Sequence, residues 1–278
     1  MLLAFLLLAH PAPQPPSLLD RAAALQDRGQ FSRAEPLYRK AISQLEARLG
    51  PRHPDLAEPL NSLASLWFDL GRYRQSEQLA TRALDLARAG GNPAQVARLT
   101  ANLAAAWQAL GDLDKAGSLY GEALASLPHP DSAGAGFLHN NIGLMALTVS
   151  RLEEARTAIE KARGIWRGTL PASHPVHALS AGNLACVYGR QGRHQAADKL
   201  WLEAIALAES SLGPHHYLTG HLYAGRAETL RVLNRKQESK QARQRARAIL
   251  NGESKALWKN GAIDIRALQS MTPSKRSN

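Results

Sequence analysis

The chain has 278 residues, 45% of them apolar but only 5% aromatic, and it carries a formal net charge of +11. Alanine and leucine supply most of the apolar fraction and β-branched runs are absent, which favours helix over strand. The single cysteine, Cys186, excludes an intramolecular disulfide framework and a thiolate-rich metal site, and its neighbours Ala185 and Val187 mark it as a small buried hydrophobe.

Taken from the start, Met1 to Ala9 form an apolar run followed by a proline-rich stretch to Pro16. The run is too short to span a bilayer. It matches the apolar centre of a secretory signal, with Ala9 and Ala12 near a cleavage point, although the usual basic residues do not precede it. Residues 1–16 are therefore expected to direct export, with the cytoplasm as the alternative location. No cysteine follows, so a bacterial lipid anchor is excluded.

Six similar units come next, near 17–54, 55–93, 94–130, 131–175, 176–216 and 217–250. Their turn residues are Gly29, Gly71, Gly111, Ser150, Gly192 and Asn234, at spacings of 42, 40, 39, 42 and 42. Seven residues before each turn stands a small residue: Ala22, Ala64, Ala104, Gly143, Ala185, Ala227. Five after stands another (Ala34, Ser76, Ala116, Ala155, Ala197, Ser239), and twelve after stands alanine each time, from Ala41 to Ala246. Three small-residue columns kept through six units predict helix pairs packed nearly to backbone contact. Apolar residues at helical spacing run between them, such as Leu56, Leu60, Leu63 and Trp67. Trp67, Trp107, Tyr188 and Leu230 recur three residues after the first small column and are expected to be core residues.

Each unit thus predicts a helix, a tight turn, a second helix and a linker. Glycine suits the turn because the chain leaves the helix through positive φ. Ser150 is expected instead to cap the following helix in a box with Glu153, and Asp55 with Glu58 to do the same in the second unit. The linkers at 49–54, 90–93, 127–130, 173–175 and 212–216 contain proline in every case, which stops one helix and pre-sets φ for the next.

These features carry a resemblance. The Leu-Gly-Pro-x-His-Pro linker, Asn-Leu-Ala at 102–104 and 183–185, and Leu-Gly-Arg-Tyr at 70–73 are similar to tetratricopeptide repeats of the kinesin-light-chain-like subgroup, over residues 17–250. The resemblance implies an all-α fold, a right-handed superhelical solenoid of about six helix-turn-helix repeats, with the first helix of each unit lining a concave face. It implies protein binding without naming a partner, since relatives serve as cargo adaptors, regulators and scaffolds.

By the same resemblance, the residue two before the first small column points into the groove: Asp20, Ser62, Asn102, Asn141, Asn183 and Gly225. Asparagines there bind the backbone of an extended peptide in this subgroup, an amide being both donor and acceptor. Asn102, Asn141 and Asn183 would form a ladder, with Asn61 and Asn140 beside it. The competing reading is that these amides satisfy neighbouring helices or water. Arg98, Arg190 and Arg231 fall about a turn away, where they would meet acidic groups or a terminal carboxylate of the ligand, or stand solvated.

No catalytic motif appears: the chain has no G-x-S-x-G, P-loop, H-E-x-x-H or dinucleotide fingerprint, and neither a catalytic residue nor a cofactor is expected. His53, His129, His174 and His215 occupy one linker site in different units and are expected to serve the fold rather than bind metal. The last unit has Arg243 where others carry Tyr38, Tyr120 or Trp201, as a polar terminal cap requires. From Arg231 onward twelve basic residues face three acids, so this end holds +9 of the +11. Residues 251–278 form a basic tail, partly disordered, in which Ala256–Trp258 and Ile263–Leu268 are expected to dock on the last repeat. A non-catalytic scaffold holding a protein or extended peptide is the leading reading. The alternative is a regulatory module recruiting nucleic acid or an anionic surface through the basic end, with nucleic acid the less favoured partner.

Overall fold

The computed structural model describes residues 17–250 apart from Arg28 and Gly91, together with the backbone at 258–259 and 262–263. The N-terminal run and most of the basic tail lie outside the described residues. Twelve α-helices form six pairs: α1 (Leu18–Asp27) with α2 (Phe31–Leu49), α3 (Ala57–Asp69) with α4 (Tyr73–Gly90), and α5 (Pro93–Leu110) with α6 (Leu113–Ala125). Then come α7 (Ala133–Thr148) with α8 (Leu152–Thr169), α9 (Val176–Arg190) with α10 (His194–Leu212), and α11 (Tyr217–Val232) with α12 (Lys236–Leu250). Beyond them β1 (Trp258–Lys259) pairs antiparallel with β2 (Ala262–Ile263), and β2 lies against α9; the rest of the expected docking segments lies outside the described residues.

The three small columns are the packing seams. Ala22, Ala34, Ala83, Ala104, Ala116, Ala123, Ala155, Ala162, Ala185, Ala197 and Ala204 are fully buried. Where the middle column is serine, the hydroxyl donates across the pair to the carbonyl of the first column: Ser76 Oγ to Ala64 O at 2.8 Å and Ser239 Oγ to Ala227 O at 2.7 Å. In the fourth unit α7 and α8 approach closer still. A Cβ on Gly143 would stand 2.6 Å from Ile159 Cγ1 and 3.1 Å from the carbonyl oxygen of Ala155, so even alanine is too large there.

All six turn residues have positive φ, including Ser150 at 60° and Asn234 at 61°. Ser150 therefore takes the left-handed conformation of the glycines instead of capping α8, whose N-cap residue is Arg151 with no side-chain bond. The second box also differs from expectation. Pro54–Leu56 form a 3-10 turn capped by His53, whose ring accepts from the Asp55 amide at 3.2 Å.

Odd-numbered helices of successive pairs touch one another along the array, α1 with α3 through to α9 with α11. The even-numbered helices instead bridge a wider gap with long ion pairs: Glu46 with Arg82 at 2.6 Å, Arg88 with Glu122, and Arg163 with Glu203 at 2.7 Å. A stack that is tighter on one side curves toward it, so the odd-numbered helices form the inner, concave layer.

Candidate functional site

The inner layer brings the asparagines together, but in pairs. Asn102 Nδ2 on α5 donates to Asn61 Oδ1 on α3 at 2.9 Å, and Asn183 Nδ2 on α9 donates to Asn140 Oδ1 on α7 at 3.1 Å. The geometry joins a residue two before the small column to one three before it in the preceding unit. Asn61 and Asn140 hold that second position in units two and four, whereas unit three has Ala101. The Asn141 side chain consequently makes no hydrogen bond among the described residues, and the residue is half-buried.

The two pairs differ in burial. Asn140 and Asn183 are fully buried and Asn140 Nδ2 has no partner, while Asn102 is half-buried beside a buried Asn61. Asn183 thus sits between helices rather than on an open wall, which leaves Asn141 and the free side of Asn102 as the accessible amides. The competing reading, that these amides satisfy neighbouring helices, therefore describes Asn140 and Asn183.

The arginines are placed separately. Arg98 pairs with Glu58, which also accepts from Gln95 Nε2 at 2.9 Å. Arg190 donates to the Leu147 carbonyl at 2.5 Å, closing the C-terminal end of α7. Arg231 meets Glu228 at 2.9 Å. The column of Trp67, Trp107 and Tyr188 is not purely core: each ring carries a cation on its face. Arg39 lies 5.0 Å from the Trp67 centroid, Lys115 3.5 Å from that of Trp107, and Arg193 4.1 Å from that of Tyr188. Trp67 also donates to Glu35 at 3.1 Å. Burial pushes the Glu35 carboxyl up, but hydrogen bonds from Arg39 and Trp67 outweigh it and hold the group below its usual range.

The linker histidines act as caps. The rings of His53, His174 and His216 accept from the backbone amides of Asp55, Val176 and Leu218 at 3.1–3.2 Å. In the last linker His216 takes the position expected of His215. An accepting ring must be neutral, and burial holds His216 down at about 4; burial and the nearby His177 lower His174. Cys186 is half-buried rather than fully buried as expected, and desolvation pushes its thiol up to about 12. Among the described residues no three His, Cys, Asp or Glu side chains converge on a metal position, and no helix is long and apolar enough to cross a membrane.

A network that the sequence did not reveal joins the last two pairs. Asp198 on α10, 6% exposed, receives Arg226 Nε from α11 at 2.8 Å and Arg235 Nη1 from the final turn at 2.5 Å. Arg235 also grips Glu238 on α12 at 2.5 Å. The spacing between Asp198 and Arg235, thirty-seven residues, was the only signal for it in the sequence.

Comparison with known proteins agrees with this architecture. The tetratricopeptide repeat profile matches residues 16–89 and 134–200, just over half of the chain. Protein KINESIN LIGHT CHAIN-RELATED 2 of Arabidopsis thaliana is 28% identical over 214 residues, covering 74% of this chain and 32% of its own. The chain spans about a third of the length of the curated relatives it matches. The crystal structure of BtubC (BKLC) from P. vanneervenii superposes with a TM-score of 0.63 at 20% identity, covering 86% of this chain and 94% of that one. A Rap protein complexed with Competence and Sporulation Factor gives a TM-score of 0.63 at 16% identity, covering 84% and 74%. The chain belongs to the tetratricopeptide repeat family and is of its kinesin-light-chain-like kind.

Proposed function

We propose that the chain is a non-catalytic protein-interaction scaffold that holds an extended protein segment against the inner layer formed by α3, α5, α7 and α9. The observation that carries this reading is Asn141, a half-buried amide with no hydrogen bond among the described residues, standing between the two bonded asparagine pairs. A mid-helix asparagine costs helix propensity. Such an amide, left with donor and acceptor both uncommitted, suits a peptide unit whatever its side chain. The complex of a similarly folded Rap protein with Competence and Sporulation Factor lends support by analogy. The apolar run Met1 to Ala9 supports export as the location, with the cytoplasm as the alternative.

The test is affinity capture by the full chain followed by mass spectrometry, with Asn102→Ala/Asn141→Ala run in parallel. The reading expects a partner retained by the native chain and lost by the double variant, both proteins folded by circular dichroism. Equal retention by the two would overturn the assignment of the inner layer.

A further inference from the structure

The ninth residue after each turn is buried and apolar in the first five units: Tyr38, Ala80, Tyr120, Ile159 and Trp201. In the sixth it is Arg243, which is exposed. Around it opens a cavity of about 650 Å³ walled by α9, α10, α11 and α12. The Trp201 indole lies at its base, so close to α11 that a Cβ on Gly225 would stand 2.5 Å from the ring.

Four arginines are among the residues lining this cavity, Arg190, Arg231, Arg243 and Arg247. Only one carboxylate, Glu228, lines it with them, and it is shared between Arg231 and Arg243 at 2.9 Å each. Arg190 donates to a neutral carbonyl, and Arg247 has no carboxylate partner among the described residues. Four arginines therefore border the cavity against one carboxylate.

We propose that this cavity binds a phosphoryl group, carried either by a phosphorylated protein segment or by a small phosphorylated molecule. The site goes beyond the inner-layer reading and does not depend on it. A single carboxylate would leave most of the excess charge unmatched, whereas a phosphate monoester brings about −1.5 to −2 and three acceptor oxygens. Arginine forks suit those oxygens better than point-like ammonium groups do. A nucleic-acid strand fits less well, because the arginines border one cavity instead of tracking a backbone and the lining indole, Trp201, is only 2% exposed and offers no face on which bases could stack.

Gly189 supplies a clean test. It lines the cavity near the end of α9, and a Cβ there would meet nothing within 4 Å. A Cβ at Gly189 therefore clashes with nothing, and Gly189→Phe is used to obstruct the cavity from its wall. The probe is a fluorescein-labelled Gly-Ala-phosphoserine-Ala-Gly peptide, titrated with the full chain by fluorescence polarisation beside its unphosphorylated twin. The phosphorylated peptide is expected to bind at least about tenfold more tightly than the twin, and Arg231→Gln or Arg247→Gln to weaken it by about tenfold. Gly189→Phe is expected to remove binding while thermal unfolding followed by circular dichroism stays unchanged. Competition with inorganic pyrophosphate separates the sources. Displacement at lower concentrations than unlabelled phosphopeptide assigns a small soluble ligand, the reverse assigns a protein-borne one, and both uphold the site. The proposal is overturned if the two peptides bind alike, if Gly189→Phe and Arg247→Gln leave binding intact, or if an oligothymidine binds more tightly than the phosphopeptide and ignores Gly189→Phe.

Discussion

Between the fourth and fifth helix pairs the inner helices meet through neutral amides, with the Arg163–Glu203 ion pair on the outer side, whereas the inner helix of the last pair meets its predecessor through charge at Asp198. At the first, Asn183 meets Asn140 with both side chains fully buried. At the second, Asp198 is held by Arg226 and Arg235, with Glu238 closing the far side. An interior junction has inner-layer neighbours on both sides, and an amide pair adds direction there without fixed charge. The terminal junction faces solvent on one side, where the outer parts of the network stay hydrated: Arg235 and Glu238 are 40% and 44% exposed. The difference shows that the bond made by the inner helix changes from an amide pair to an ion pair at the end of the array.

Breaking each junction should separate the two chemistries. The largest loss is expected from Asp198→Ala, which removes a buried carboxylate and leaves the half-buried Arg226 with only Glu238 at 3.8 Å. Removing one partner of a buried ion pair costs about 3–5 kcal/mol, and urea unfolding followed by circular dichroism should show it as an early transition of the last repeats. Asn183→Ala should cost less, about 1–3 kcal/mol, because it strands a neutral buried acceptor. Replacing Asn140 and Asn183 together by leucine should recover most of that, since both polar groups then disappear. Asn102→Ala, at a half-buried site, should cost only about 1 kcal/mol.

Acid sharpens the contrast by a different route. The folded value of His216, about 4, lies below the ordinary histidine range, so the unfolded chain binds the proton more readily. His174 and His221 are lowered in the same direction. Their contribution to stability is complete above about pH 6.5 and is lost as pH falls toward 4. Thermal unfolding should drop by several degrees across that window. His216→Asn, which keeps an accepting cap but cannot titrate, should remove part of the drop.

Much of this fold is legible in the sequence because its seams are steric. Columns that must be alanine, serine or glycine repeat visibly, and Gly143 stands where α8 comes closest. The site was less legible because an amide pair joins two registers one residue apart. Placing Asn102 and Asn183 in one column was correct, but their partners Asn61 and Asn140 stand in the neighbouring column of the preceding unit. Ser150 was misjudged as a cap because serine serves both caps and turns, and only φ distinguishes them. The arginine cavity was invisible for another reason: it depends on side chains from four helices that share no motif.

Asn141 is the residue on which partner binding at the inner layer depends most directly. The decisive measurement is the affinity of a captured partner for Asn141→Ala and for Asn183→Ala, each set beside its own urea unfolding curve. Asn141→Ala is predicted to bind at least about tenfold more weakly with an unchanged unfolding midpoint, while Asn183→Ala shifts the midpoint first. Native affinity in Asn141→Ala, or a loss that merely follows its stability, would contradict the claim that the inner layer holds the partner.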